Sequence, residues 1–262
     1  MSRHIQSQTK RKHCSMPSSF SDKNKTGWHA TILTLFPKMF PGPLGFSLAG
    51  KALNSGIWNL KTVDIRNFAQ NKSRSIDDYP FGGGTGMVMR PDIVDTALEA
   101  VADRPGPRLY PSPRGAIFDQ SWAKILAKEP GAVIFCGRYE GLDERVIKAR
   151  NLKEVSIGDF VLSGGEPAAI IIMDALIRLL PGVLGTTTGL SEESFENGLL
   201  EYPLYTQPRN WNGIIVPETL TSGHHAKVKA WKRLKAESIT RERRPDLWEQ
   251  YMKNNDKSSS SR

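Results

Sequence analysis

Short apolar runs rich in β-branched residues alternate along the chain with segments of helical periodicity. The runs predict strands at 30–36, 60–66, 107–113, 131–137 and 154–162. The helical patterns predict helices at 91–102, 119–128, 142–149 and 166–180. The run GAVIFCG is apolar on both faces, as in a buried strand of a parallel sheet. The alternation therefore predicts an α/β domain with a mostly parallel sheet.

The C-terminal part of the sequence has a different character. Residues 185–212 are polar and rich in turn-forming residues, and such a long connection is usually a linker or a functional loop. The segment that follows is helical, with Val228, Trp231 and Leu234 on one stripe, and Pro245 ends or restarts the helix. We therefore predict a small helical domain after the linker.

The ends of the chain are polar and lack apolar periodicity, which predicts disorder. The expected organisation has five parts along the sequence. They are a disordered basic tail at 1–26, an α/β domain at 27–184, a flexible linker at 185–198, a basic helical domain at 199–255 and a disordered tail at 256–262.

Positive charge is concentrated toward the two ends of the chain, whose net charge is +9. Residues 1–26 carry six Lys/Arg and one Asp, and residues 223–253 carry nine Lys/Arg and four Asp/Glu. Residues 27–222 are nearly neutral, with 19 basic and 21 acidic residues. A basic appendage on a neutral domain is typical of polyanion binding, although solvated surface lysines would give the same count.

Several classes of protein are excluded by composition and spacing. The two cysteines, Cys14 and Cys136, cannot form a disulfide framework, and the five histidines lack zinc-site spacing, so we predict no protein-bound metal. Asp174 and Arg178 interrupt the longest apolar run too soon for a membrane span, and no signal peptide is evident. We expect a cytoplasmic protein without a membrane partner.

Four turns built of glycine, proline and small polar residues follow predicted strands, at 82–86, 111–115, 137–141 and 162–166. In an open parallel sheet, ligands bind at the carboxyl ends of strands, and glycine allows a ligand to approach the backbone closely. One such turn is usually plain loop geometry. Four together predict a ligand-binding crevice.

A nucleotide site is the first alternative for that ligand. No stretch matches GxGxxG, which argues against a dinucleotide site or a Rossmann methyltransferase site. GFSLAGKA at 45–52 nearly matches the phosphate-binding loop, but Ala52 replaces the hydroxyl and Gly45 follows a proline-rich turn. A nucleoside triphosphatase of this kind would require Lys51 for ATP or GTP binding.

Two groups of charged residues have both a structural and a functional interpretation. Asp174 and Arg178, four residues apart on a predicted helix, most simply form a salt bridge, whereas an arginine directed toward the crevice would meet an anion. Glu192, Glu193 and Glu196 are most simply part of a solvated loop. A carboxylate on a mobile segment could instead close over a substrate as a general base.

Several longer motifs resemble one protein family. YPFGGGTGMVMRP, CGRYEGLDERV, SIGDFVLSGGEPAAIIIMDALIRLLPGVLG, EESFENGLLEYPLYTQP, SGHH and RRPDL occur in this order, and the resemblance runs from about Trp28 to Tyr251. The chain resembles the bacterial tRNA (guanine-N1)-methyltransferases of the SPOUT superfamily. The resemblance implies transfer of a methyl group from S-adenosyl-L-methionine to N1 of the guanine at tRNA position 37, 3′ of the anticodon. It also implies a deep trefoil knot in the α/β domain and a small C-terminal helical domain.

The resemblance further implies roles for particular residues. The catalytic residues would be Glu193, at the position of the family's proposed aspartate base, and Arg178, which would stabilise O6 or orient the guanine. Glutamate is one methylene longer than aspartate, so its placement is in question, and Glu192 is the alternative base. The positions that match the cofactor site are Tyr110, Ser112, Pro113, Gly137, Tyr139, Glu140, Gly141, Ser156, Ile157, Gly158, Asp159, Phe160, Val161, Leu162, Gly164 and Gly165.

The same resemblance implies partners. Family members are homodimers whose active sites are completed by both subunits, tRNA is the substrate, and Mg²⁺ accompanies the tRNA in the reaction. The basic C-terminal domain would then contact the phosphates of the anticodon stem. The alternative function is a tRNA-binding module of the same fold in which the change from aspartate to Glu193 impairs catalysis.

Overall fold

The computed structural model describes residues 27–69, 74–184 and 192–259. The predicted tail at 1–26 and residues 185–191 of the linker lie outside these ranges. The strands are β1 (Trp28–Thr34), β2 (Trp58–Asp64), β3 (Asp77–Asp78), β4 (Val88–Met89), β5 (Arg108–Ile117), β6 (Gly131–Phe135), β7 (Lys153–Ser156), β8 (Asn210–Trp211) and β9 (Ile214–Ile215). The helices are α1 (Ser47–Asn54), α2 (Pro91–Glu99), α3 (Gln120–Lys128), α4 (Glu144–Ala149), α5 (Gly165–Ile177), α6 (Glu218–Thr221), α7 (His225–Arg243) and α8 (Pro245–Ser259).

Five strands form one sheet in the order β2-β1-β6-β5-β7, and every pairing in it is parallel. Within this sheet, Ile32 of β1 lies between Thr62 of β2 and Ile134 of β6. The predictions of an α/β domain and a mostly parallel sheet are confirmed. Two further ribbons, β3-β4 and β8-β9, are short and antiparallel.

The sheet is buried on both faces, and strand β6 shows why. Ile134 points into one apolar cluster with Ile172 of α5, whereas its neighbours Val133 and Phe135 point into a second cluster with Leu98 of α2. Successive side chains of a strand face opposite sides, so a strand between two helical layers must be apolar at every position. All five residues of β6 are buried.

Strand β7 is shorter than the sequence predicted. The predicted strand covers 154–162, but β7 ends at Ser156. The Ser156 hydroxyl accepts a hydrogen bond from the Gly158 N–H at 3.2 Å, and the Phe160 N–H donates to the Gly158 carbonyl at 3.0 Å. These local bonds turn the chain out of the sheet. The prediction of a strand over 157–162 was therefore wrong, and this segment is a loop.

The segment that nearly matches a phosphate-binding loop forms α1. Gly50 lies against the backbone of Gly45, so a side chain at Gly50 would overlap the Gly45 carbonyl. The Gly50 N–H donates to the Phe46 carbonyl at 2.9 Å, inside the same turn. The glycines of 45–52 are therefore used for close packing at the start of a helix.

The C-terminal region is helical, as predicted, with α7 and α8 packed against each other. Pro245 ends one helix and starts the next, which confirms its predicted role. The predicted apolar stripe is partly wrong, because Leu234 is exposed and the buried positions of α7 are Ala236 and Thr240. Helix α8 extends four residues into the predicted tail at 256–262.

Candidate functional site

A cavity of about 390 Å³ opens at the carboxyl ends of β5, β6 and β7. Its wall is formed by residues of three segments, which are 110–114 within β5, 137–142 after β6 and 155–165 from the end of β7 to the start of α5, and by Ala168 of α5. All but one of the residues predicted to bind the cofactor line it. The exception is Asp159, which is exposed and outside the cavity wall. The predicted crevice at the ends of parallel strands therefore exists, and three of the four predicted turns form it.

An irregularity in β5 shapes one wall. This strand pairs with β7 as far as Pro111, and pairing resumes at Ala116, so residues 112–115 leave the ladder. The Ser112 hydroxyl accepts a hydrogen bond from the Arg114 N–H at 3.2 Å, which closes the departing turn. Both Pro111 and Ala116 pair with Val155, so the four intervening residues bulge out of the ladder, and Ser112, Pro113 and Arg114 of this bulge line the cavity.

The glycine pair before α5 is required by close packing. A Cβ on Gly165 would lie 2.9 Å from the Cys136 Cα, and a Cβ on Gly164 would overlap the Arg138 side chain. The Gly165 N–H donates to the Gly137 carbonyl at 2.9 Å. Because Gly164 is in an extended conformation with φ of 171°, the requirement is space and not an unusual backbone angle. The glycines let α5 begin directly against the end of β6.

The turn at 137–141 holds two residues in the left-handed region, Tyr139 with φ of 58° and Gly141 with φ of 105°. A Cβ on Gly141 would lie 2.7 Å from the Tyr110 hydroxyl. Tyr110 is buried, and burial raises the pKa of its hydroxyl. The hydroxyl therefore stays protonated and neutral in the cavity wall. Left-handed geometry is uncommon for a residue with a side chain such as Tyr139, and residues held in such sparsely populated conformations cluster at functional sites.

The first predicted turn, 82–86, does not line the cavity but contacts its wall. The Glu140 N–H donates to the Met87 carbonyl, and the Met89 N–H donates to the Gly141 carbonyl, both at 2.9 Å. A side chain at Gly86 would overlap the Glu140 carboxylate. This turn therefore supports the 137–141 turn from behind.

Sequence reasoning missed a buried charge pair beneath the cavity. Glu166, in the first turn of α5, is fully buried, and its Oε2 lies 2.9 Å from Nε of Arg138 in the cavity wall. The Thr34 hydroxyl donates to the other Glu166 oxygen at 2.7 Å. Arg138 also donates to the Ser163 carbonyl at 3.1 Å and lies over the Phe36 ring. The pair thus fixes the loop before α5. Both residues stand inside the quoted motifs, but no spacing rule indicates that they meet.

We expect Arg138→Met to destabilise the fold by about 3 kcal/mol, because a fully buried carboxylate would lose its countercharge. Urea unfolding monitored by circular dichroism measures the change. Adding Glu166→Gln to this variant should recover part of the loss, since a neutral amide still accepts the Thr34 hydrogen bond. A single-variant loss below about 1 kcal/mol would show that the pair does not hold this loop.

The two residues predicted to be catalytic contact each other. Arg178 Nη1 donates to Glu193 Oε2 at 2.8 Å, and Nη2 donates to Oε1 at 2.6 Å. This two-point contact lowers the pKa of Glu193 and raises that of Arg178, so both groups are charged near neutrality. Asp174 adds a weaker electrostatic effect on Arg178. The salt bridge with Asp174 that the spacing favoured is not among the ion pairs of the described residues, and the partner of Arg178 is Glu193 on the linker.

The neighbouring linker carboxylates also meet cations. Glu192 accepts hydrogen bonds from the Tyr202 hydroxyl at 2.6 Å and from Lys232 Nζ at 2.7 Å. The contact with Lys232 is the main cause of the lowered pKa of Glu192. Glu196 accepts a hydrogen bond from Lys124 Nζ at 2.7 Å. The acidic segment is therefore not a solvated loop, which was the simpler interpretation of its sequence.

The cavity and the Arg178–Glu193 pair lie at opposite ends of α5. Gly165 begins the helix at the cavity, and Arg178 caps its C-terminus after 13 residues. At 1.5 Å per residue, the two ends are about 20 Å apart. A single chain therefore does not bring the predicted base to the cavity that it contributes.

Among residues 27–69, 74–184 and 192–259, no group of three or more His, Cys, Asp or Glu side chains is placed to hold a metal ion. In the same part of the chain, no helix has the length and apolar character needed to cross a membrane.

Comparison with known proteins gives one family and several close relatives. A family model described as tRNA (Guanine-1)-methyltransferase TrmD matches residues 28–250. The chain is 57% identical over 223 residues to a tRNA (guanine-N(1)-)-methyltransferase of Rhodospirillum rubrum, covering 85% of this chain and 93% of that protein. It is 56% identical over 233 residues to the protein of the same name from Brucella ovis, covering 89% of this chain and 96% of that protein.

Proposed function

The chain belongs to the tRNA (Guanine-1)-methyltransferase family, and we propose that it methylates N1 of the guanine at tRNA position 37 with S-adenosyl-L-methionine. The observation that carries this proposal is the contact of the linker carboxylate Glu193 with the guanidinium of Arg178 at the end of α5, in a chain that also has a cavity at the other end of this helix. The names of the relatives give no support to an impaired tRNA-binding module.

The cavity suits a nucleoside cofactor in size and chemistry. Its volume of about 390 Å³ lies within the usual range for small-molecule sites. Its wall combines apolar side chains with turns whose glycines admit close approach to backbone groups. When bound, S-adenosyl-L-methionine supplies a methyl group on a positively charged sulfur, and the electrons of the broken carbon–sulfur bond remain on that sulfur. We propose that residues of the three turns hold this cofactor.

Glu193 and Arg178 match the reacting edge of guanine. That edge presents an N1–H donor and an O6 acceptor, which a carboxylate and a guanidinium complement. In this proposal Glu193 accepts the N1 proton as the N1 electron pair forms the bond to the methyl carbon. Arg178 leaves its resting contact with Glu193 and donates to O6, where negative charge develops. The lowered pKa of Glu193 keeps it unprotonated until guanine arrives.

The separation along α5 supports a composite active site. If one chain places its base about 20 Å from its own cavity, a second copy must supply the base for that cavity. We propose a two-fold homodimer in which the linker of each subunit serves the cavity of the other. Exposed apolar side chains between the linker and α6, among them Leu204, Trp211 of β8 and Ile214 of β9, support contact with a partner.

The remaining assignments extend this proposal. The α/β domain at 27–184 carries the cofactor, and the basic domain at 199–255 contacts tRNA phosphates after the linker at 185–198. Mg²⁺ would accompany the tRNA through phosphate oxygens, which are ligands that it prefers. The reaction would take place in the cytoplasm.

The test uses purified full-length protein, labelled S-adenosyl-L-methionine and two tRNA transcripts that differ in having guanine or adenine at position 37. We expect the guanine transcript alone to be labelled, and nucleoside digestion to place the label on N1. Equal labelling of both transcripts would contradict the assignment of position 37. Cofactor binding without transfer to either would favour the impaired module.

A further inference from the structure

The linker carries three carboxylates within five residues, and each meets a cation from a different helix or helix end. The pairs are Glu192 with Lys232 of α7, Glu193 with Arg178 after α5, and Glu196 with Lys124 of α3. The proposed base is therefore the middle of three ionic contacts. Of the outer two contacts, the one with Lys124 attaches the linker to the α/β domain, because α3 belongs to that domain. The one with Lys232 attaches it to the basic domain, which contains α7.

A hydrogen-bonded turn connects Glu193 and Glu196. The Glu196 N–H donates to the Glu193 carbonyl at 3.3 Å, which closes a turn between them. Phe195, inside that turn, has a φ of 75° and donates its N–H to the Leu199 carbonyl at 2.8 Å. Both hydrogen bonds restrain the backbone that connects the two carboxylates. The placement of the Glu196 side chain therefore influences the placement of Glu193.

Lys124 holds this turn on the α/β domain. Its Nζ lies 2.7 Å from Glu196 Oε2, and the Glu196 side chain is only 17% exposed. Helix α3 packs directly against α5, the helix that ends at Arg178. Lys124 and Arg178 therefore stand on one rigid surface that receives the linker.

We propose that Lys124 is a positioning residue for methyl transfer, which acts by holding Glu196 and thereby setting the place of Glu193. This inference rests on the proposed role of Glu193 as base. Its physical reason is that Arg178 cannot hold Glu193 and donate to guanine O6 with the same atoms. Once Arg178 turns to O6, the Lys124–Glu196 contact is the one of the three pairs that still fixes the turn to the α/β domain.

The variant Lys124→Gln tests the inference in the full-length enzyme. We expect kcat to fall roughly fivefold, while the KM for S-adenosyl-L-methionine stays within about twofold. The control is Lys128→Gln, an exposed lysine one turn further along α3, which should keep kcat within about twofold. Thermal unfolding of both variants checks that the fold is intact.

A pH profile separates positioning from general weakening of the fold. Without Lys124, Glu193 spends less time at Arg178 in the free enzyme, so its pKa rises toward the ordinary value. The acidic limb of kcat/KM for tRNA, which reports the free enzyme, then moves to higher pH. Asp174 and Glu196 also act on Arg178 electrostatically, and neither is altered in this variant. An acidic limb of kcat/KM that stays at the wild-type pH would overturn the positioning role.

A charge exchange completes the test. Lys124→Glu should lower kcat more than Lys124→Gln, and the double variant Lys124→Glu with Glu196→Lys should restore most of it. An unchanged kcat in Lys124→Glu would overturn the inference while leaving the proposed function intact, provided that Glu193→Gln is inactive. Full activity of Glu193→Gln would instead contradict the proposed role of Glu193 as base, and the positioning role with it. Absence of methyl transfer by the wild-type enzyme would contradict the proposed function.

Discussion

Replacing Glu193 by glutamine should reduce the rate of methyl transfer to tRNA by about 10²-fold to 10⁴-fold. Glutamine has the same shape, but its amide cannot take the N1 proton from guanine. The Arg178 guanidinium would remain in place and could still donate to O6. Single-turnover transfer from labelled S-adenosyl-L-methionine to the guanine-37 transcript measures this step separately from product release.

The matched control is Glu192→Gln, which alters the adjacent carboxylate. Glu192 contacts Tyr202 and Lys232 in the basic region, so this change should affect tRNA binding more than the transfer step. Cofactor binding, measured by calorimetry, should be unaltered in both variants, because neither residue lines the cavity. If Glu192→Gln abolishes transfer and Glu193→Gln does not, the base is Glu192.

The central sheet was predictable because a strand that is buried on both faces is apolar at every position. The run at 131–137 is apolar at every position, and its core became β6, the middle strand of the sheet. The run at 154–162 misled the prediction, because Phe160, Val161 and Leu162 have strand-forming side chains but lie in a loop at the cavity. Residues that serve a ligand can be apolar without being part of the core.

Contacts between distant segments were less predictable than the elements themselves. Arg138 and Glu166 are 28 positions apart, and their approach depends on how closely α5 begins against β6. Likewise, the spacing of Asp174 and Arg178 favoured a local salt bridge, but the linker supplies a closer partner in Glu193. Periodicity describes one element at a time, so pairings between elements need the fold or a family resemblance.

The sequence pattern also did not predict which face of α7 is buried. The stripe through Leu234 favoured burial of that edge, but the buried contact lies at Thr240, whose hydroxyl accepts a hydrogen bond from the N–H of Leu200, just after the linker, at 2.8 Å. Leu234 is 65% exposed. The pattern marks apolar positions without saying which of them the same chain covers, and in the proposed dimer a second copy is available to cover the rest.

Mixing two inactive variants should restore activity, because α5 keeps the cavity of each chain apart from the base of the same chain. Glu193→Gln removes the proposed base, and Leu162→Trp fills the cofactor cavity, as loss of cofactor binding in calorimetry should verify. In a two-fold dimer with shared sites, a mixed dimer has one site with both an intact cavity and an intact base. Random exchange of equal amounts should therefore give about a quarter of wild-type activity.

The reciprocal mixture distinguishes shared sites from sites within one chain. When both substitutions are placed on one chain and this chain is exchanged with an equal amount of wild type, every mixed dimer is inactive if the sites are shared. About a quarter of full activity then remains, against about a half if each chain works alone. Because α5 holds the cavity and the Arg178–Glu193 pair about 20 Å apart, we expect a quarter in both mixtures. No activity in the first mixture and about half of full activity in the second would show that the linker reaches the cavity of its own chain. In that case, α5 would not set the distance between base and cofactor.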